Sequence, residues 1–187
     1  GKRLPVPLFP GFDTLGTLAH IGTTGHEHTW FIATQKIVEK EFGLSGSEQN
    51  PDLTGKDIRL LATRVKAGMA APVQAFVDRG EDFVSAATLP ELVAGMNRIT
   101  GGKPELDPGQ IEREIVCRDR EIAHPFGKDM QIAAIRAARN YLGDKLIRVA
   151  PPHRILDPEA GPLVAVRLNL ITRKALAGLE TDLSGRV

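Results

Sequence analysis

At 187 residues, with hydrophobic residues at 42% and charged residues at 25%, the chain has the make-up of an ordinary globular protein able to bury one substantial core. Aromatics at 5% argue against a base-stacking nucleic-acid surface, and 24 Lys and Arg against 23 Asp and Glu, a net charge of +1, give no field that would draw DNA or an anionic membrane. The lone Cys117 excludes an internal disulfide framework and a thiolate metal cluster, and with no apolar run of membrane-spanning length and no stretch resembling a signal peptide it points to a reducing, cytoplasmic setting.

Pro5, Pro7 and Pro10 keep Val6, Leu8 and Phe9 extended. The Gly- and Thr-rich stretch from Gly11 to Gly25 is read as a long loop, either lying on the surface or wrapping a ligand or another domain. His20, His26 and His28, with Glu27 between the last two, raise a metal hypothesis that their spacing does not favour. His26 and His28 stand two apart, a spacing that shares one side only in a strand, and no His-Glu-x-x-His is present. Substrate contact and ordinary loop hydrogen bonding are the two readings left open for them.

Thr29 is expected to cap a helix reaching Phe42, with Trp30, Phe31, Ala33, Ile37 and Val38 on its buried side, and Gly43 to end it. A short helix is expected over Asp52–Arg64, and another from Pro72 to Arg79 with Pro72 in its first turn. Phe83-Val84 is a brief extended piece. Thr88-Leu89-Pro90-Glu91 is a capping box opening a helix that stops at Gly101-Gly102.

Asp107-Pro108 starts the next helix, with Ile111, Ile115 and Ile122 inward and Cys117 read as a small packed side chain. Asp129 caps a further helix to about Asn140. Leu146–Val149 reads as a strand, and Pro151-Pro152 forces a turn.

From Gly161 the sequence runs GPLVAVRLNLITRKALAGLETDLSGRV. Leu163 to Ile171 is an apolar, β-branched run broken by Arg167 and Asn169, which favours a strand. Ala177-Gly178 marks a close backbone approach, Leu179–Asp182 a second strand, and Ser184-Gly185-Arg186 a tight turn into a strand that barely begins. The chain is therefore read as cut from something longer. The overall expectation is an α+β protein with a helical middle flanked by strands, as in a lobe inserted into a second domain. No G-x-G-x-x-G, Walker A or G-x-S-x-G motif occurs, so motif content alone leaves the activity unassigned.

The terminal phrases GPLVAV, AGLETD and SGRV resemble the segment of the fumarate reductase and 3-ketosteroid dehydrogenase superfamily of FAD enzymes that leaves the substrate lobe and passes the flavin. Gly1-Lys2-Arg3 and Phe126-Gly127-Lys128 resemble two further landmarks of that lobe. GFDTLGTL, HTWF and GSEQNPDLTGK resemble the superfamily branch of FAD-binding dehydrogenases, across nearly the whole chain.

The resemblance implies a mainly helical substrate-binding (cap) domain over residues 1–160, and return strands over 161–187 leading to an FAD-binding α/β domain elsewhere in the polypeptide. That domain would be the chain's partner beside a small-molecule substrate. FAD would belong to the full-length protein, with none bound by this fragment. The implied function is dehydrogenation or reduction of CH–CH bonds in a carbonyl-containing substrate, inactive in the fragment alone. A non-catalytic small-molecule or protein binding module is the alternative.

Ala177, Gly178 and Leu179 would lie against the flavin, Ala177 standing where the superfamily more often has a second Gly. Arg173 and Lys174 would fall near the His pair of fumarate reductases and join His26 and His28 as catalytic candidates, with Arg167 as a substrate contact. A cation at Arg173 or Lys174 would raise the acidity of a bound carbonyl compound while a histidine exchanges the proton. Arg167 inside an apolar strand is an anomaly with two readings, a site residue or one that is outward-facing or salt-bridged. No metal is implied.

Overall fold

The structure is a computed structural model and describes residues 1–6, 8, 13–44, 59, 62, 68–147, 150–170 and 181–186. A helix α1 (Thr14–Thr24) leads to strand β1 (His28–Thr34), which runs directly into α2 (Gln35–Glu41) and a 3-10 turn at Phe42–Leu44. Then follow α3 (Ala71–Arg79), β2 (Phe83–Ala86), α4 (Leu89–Thr100), α5 (Pro108–Ala123), α6 (Met130–Ala138), α7 (Leu142–Ile147), a 3-10 turn at Pro158–Ala160 and β3 (Leu163–Asn169).

The strands form one sheet in the order β1-β3-β2, with β3 antiparallel to both neighbours. His28 stands opposite Asn169, Trp30 opposite Arg167 and Thr34 opposite Leu163 on one side, and Phe83 opposite Val166 on the other. The sheet is covered on both faces. Leu163 and Ala165 of β3, with Trp30, Ile32, Val84 and Ala86, pack on Leu92, Val93 and Met96 of α4 and Ile111 and Ile115 of α5. Val164 and Val166, with Phe31, Ala33 and Phe83, pack on Val38 of α2 and Val73 of α3. Successive residues of a strand point to opposite faces, so Leu163 to Val166 are all buried although they serve two separate cores.

Local chemistry sets the helix ends. Thr88 and Glu91 exchange side-chain and backbone hydrogen bonds in the capping box that opens α4, with Pro90 in its first turn, and Gly101 at φ 62° closes it. Gly95 lies so close to the sheet that a Cβ there would sit 2.4 Å from Val84 Cγ1. Asp107 caps α5 and Asp129 caps α6. Arg3 clasps Asp129 and Gln131, fastening the first residues to the start of α6. The expected helices at 72–79, after Thr88, after Asp107 and after Asp129, the extended Phe83-Val84 and the strand from Leu163 are all present.

Other expectations are corrected. The stretch from Gly11 to Gly25 is not a loop throughout: Asp13 accepts a hydrogen bond from the Gly16 N–H, and α1 fills residues 14–24. The helix expected from Thr29 to Phe42 is a strand as far as Thr34, whose hydroxyl caps the shorter α2. Leu146 and Ile147 end a helix rather than open a strand. Cys117 is exposed, not packed. The expected helix over Asp52–Arg64 lies outside the described residues apart from 59 and 62, which are helical. The turn at Ser184–Arg186 forms around Asp182, whose carboxylate accepts from the N–H groups of Ser184 and Arg186.

The expected architecture is corrected as well. The strands do not flank a helical lobe and wait for the sheet of another domain. They pair with one another, and β3 is the central strand with helices on both faces.

Candidate functional site

At one end of the sheet β1 and β2 begin and β3 finishes. Period-two alternation puts His28 and Trp30 of β1 and Arg167 and Asn169 of β3 on the face shared with α4 and α5. Asp82, just before β2, closes the group. Its Oδ1 accepts from Arg167 Nε at 2.5 Å, its Oδ2 from Asn169 Nδ2 at 3.2 Å, and its backbone carbonyl from the Arg167 N–H at 2.9 Å. The Leu170 N–H to Glu27 carbonyl bond, 3.0 Å, extends the ladder past the last paired residues.

Arg167 is therefore ion-paired, as its second reading had it, yet only part of it is used. Among the described residues neither Nη1 nor Nη2 gives a hydrogen bond. The indole Nε1–H of Trp30, directly opposite, is buried and has no acceptor among the described residues. Leaving such a donor unpaired costs about 1–3 kcal/mol. His28 meets the Trp30 ring edge-on at a centroid distance of 6.0 Å. Burial, followed by the positive field of Arg167 and by His26, pushes the His28 imidazole below its ordinary pKa, against the opposing pull of Asp82 and Glu27. At neutral pH His28 is thus an uncharged ring able to donate or to accept.

Of the residues singled out in the sequence, the structure brings His28 and Arg167 to this sheet end. His26 is exposed, two residues before His28. His20 lies on α1. Arg173, Lys174, Ala177, Gly178 and Leu179 lie outside the described residues. No group of His, Cys, Asp and Glu able to hold a metal occurs among the described residues. Nor is any described helix long and apolar enough to cross a membrane.

Trp30, Asp82 and Asn169 escaped the sequence reading. The local pattern puts Trp30 on a helix, and nothing local marks Asp82 as a partner of a strand far ahead in the chain. Asn169 did carry a signal, since it breaks the apolar run two residues after Arg167, the spacing that puts both side chains on one face of a strand.

A second polar centre is structural. The buried Asp119 accepts from the N–H groups of Ile155 and Leu156, at 2.9 Å each, and from Arg118 at 2.9 Å, pinning the turn before β3 to α5. His153 gives its Nδ1–H to the Pro151 carbonyl, and its Nε2 meets the Thr34 hydroxyl at 2.8 Å.

Fold and site together define an α+β unit with an antiparallel sheet and hydrogen-bond donors gathered at one sheet end. The family model described as FAD binding domain matches residues 1–187, and the chain belongs to that family. It is 61% identical over all of its 187 residues to a KsdD-like steroid dehydrogenase of Mycolicibacterium smegmatis, of which it covers 34%. It is 58% identical, again over the whole chain, to KsdD-like steroid dehydrogenases of two Mycobacterium tuberculosis strains, covering 33% of each. The chain thus spans about a third of the length of these curated relatives. No solved structure matches it.

The family match corrects three expectations together. Because it runs over every residue, the chain is assigned to the FAD binding domain itself, not to a separate substrate-binding lobe or fragment. An FAD-binding domain elsewhere in the same polypeptide is accordingly not its partner. The expectation that the fragment binds no FAD is overturned by the same assignment.

The donor set at the sheet end fits one part of that cofactor. An indole N–H and two guanidinium nitrogens that meet no partner among the described residues, with a neutral imidazole, suit the carbonyl-bearing edge of the isoalloxazine ring. Among the described residues no strand runs through a glycine-rich turn into a helix N-terminus of the kind that cradles a diphosphate.

Proposed function

We propose that this chain works within an FAD-dependent dehydrogenase that oxidises or reduces a steroid, with FAD held by the chain's own domain. The observation that carries the reading is 61% identity, across every residue, to a protein described as a KsdD-like steroid dehydrogenase. FAD, when bound, supplies the hydride acceptor or donor. The residues of this chain orient the reacting partners and handle the proton.

In this reading Arg167 and Trp30 offer donors to an oxygen at the sheet end, Asp82 holds Arg167 in place, and neutral His28 orients against Trp30. Arg173 or Lys174 raises the acidity of a bound carbonyl compound, and His26 or His28 exchanges the proton. A cytoplasmic location accompanies the proposal, since a single free cysteine suits a reducing compartment. Turnover of a steroid panel by the full-length protein with an artificial electron acceptor tests it. Substrate-dependent dye reduction that His28→Ala and Arg173→Ala each depress is the expected result. Absence of reduction with every steroid, by a protein loaded with FAD, overturns it.

A further inference from the structure

Three features of the sheet end stand together without a use in the fold. The Trp30 Nε1–H is buried and lacks an acceptor among the described residues, the terminal nitrogens of Arg167 bond to no described residue, and the two positions face one another in the β1–β3 register. A donor needed only for packing would be met by a neighbouring carbonyl or replaced by a ring without an N–H. The indole packs against the apolar side chains of the α4–α5 core, and His28 meets it edge-on without taking its N–H.

Charge narrows the ligand further. Asp82 already neutralises Arg167, and His28 is held toward its uncharged form. A group of donors without net charge suits a neutral acceptor oxygen better than a phosphate or a carboxylate, which would need the Asp82 carboxylate removed. We propose that Trp30 Nε1–H and the Arg167 guanidinium form a binding site for a neutral carbonyl oxygen, with Asp82 as the positioning residue that turns Arg167 toward it. Asp82 acts through Arg167 and Asn169 and touches no ligand. The carbonyl belongs either to the flavin ring or to a ketone substrate. The assignment rests on the flavoenzyme reading only for the choice between these two sources.

The test uses the full-length protein carrying Trp30→Phe, which keeps an aromatic ring and removes the N–H, with Arg167→Lys as a second variant that keeps the charge and removes the planar fork. Equilibrium dialysis measures binding of progesterone and of pregnane, which has the same carbon framework without the oxygens, and a visible spectrum records the flavin. If the carbonyl is the substrate's, each variant weakens progesterone roughly tenfold, leaves pregnane unchanged and leaves the flavin bands in place.

If the carbonyl is the flavin's, the variants shift the flavin bands or lower FAD occupancy, and the ratio of the two steroid affinities stays at its wild-type value. Asp82→Asn should reproduce the Arg167→Lys result in part, which a residue outside the site would not. Wild-type progesterone binding together with a wild-type flavin spectrum in both Trp30→Phe and Arg167→Lys overturns the proposal. A protein that takes up no FAD at all removes the flavoenzyme reading, while the progesterone-to-pregnane comparison still decides whether the carbonyl site exists.

Discussion

Arg167 and Asp82 are joined twice, side chain to side chain at 2.5 Å and backbone to backbone at 2.9 Å. The pairing fixes the end of the central strand against the start of β2, and it sets the field in which His28 titrates. The imidazole lies below its ordinary pKa through burial first and Arg167 second, with Asp82 opposing. Arg167→Met should therefore raise the His28 pKa, and Asp82→Asn should lower it further. An NMR titration of the His28 ring reads both, and a shift of the opposite sign in either variant would contradict the arrangement.

The same titration carries a stability signature. A histidine whose folded pKa is depressed binds its proton less readily in the folded state than in the unfolded one. Its contribution is present above the ordinary histidine value of about 6.5 and is lost as pH falls through the lower folded value. Thermal melts across that range should show the loss in wild type, and a smaller one in His28→Gln. Identical pH profiles for the two proteins would count against it.

Gly95→Ala sets two effects against each other. Helix propensity favours alanine by about 1 kcal/mol. The new methyl would lie 2.4 Å from Val84 Cγ1, between helix and sheet, where both sides are packed. Overpacking of this kind costs about 1–3 kcal/mol, so urea unfolding should show a net loss of stability. A gain would mean that α4 is free to move away from β2.

Asp119 offers a larger effect. Its two oxygens take the N–H groups of Ile155 and Leu156 as well as Arg118, and the side chain is buried. Asp119→Ala strands these donors, and breaking a buried charge pair costs about 3–5 kcal/mol. Thr88→Ala, which removes only the capping hydroxyl of α4, should cost about 1 kcal/mol. Urea unfolding of the two variants side by side checks the ordering, and a Thr88 effect as large as that of Asp119 would contradict it.

Where the sequence was legible, the signal was local. Thr88-x-x-Glu91, Asp107-Pro108 and Asp129 announce three helices because capping needs only neighbours in the chain. The apolar run from Leu163 showed its strand through β-branched residues. β1 misled because the sheet is buried on both faces: Trp30, Phe31, Ile32 and Ala33 are all apolar, the alternation of a half-exposed strand is erased, and the following Ile37 and Val38 complete a helical period.

The site was half legible for a related reason. Arg167 and His28 are unusual in their own neighbourhoods. Asp82 and the unpaired N–H of Trp30 acquire meaning only once β2 lies beside β3 and β1 opposite it, which is a fact of tertiary pairing.

The central claim is that the chain belongs to a working flavoprotein. The measurement that tests it most directly is the visible absorbance spectrum of the purified full-length protein, before and after reduction with dithionite. A yellow protein is expected, with close to one FAD per chain and flavin bands that bleach on reduction. A protein that stays colourless after purification and after incubation with excess FAD would contradict it.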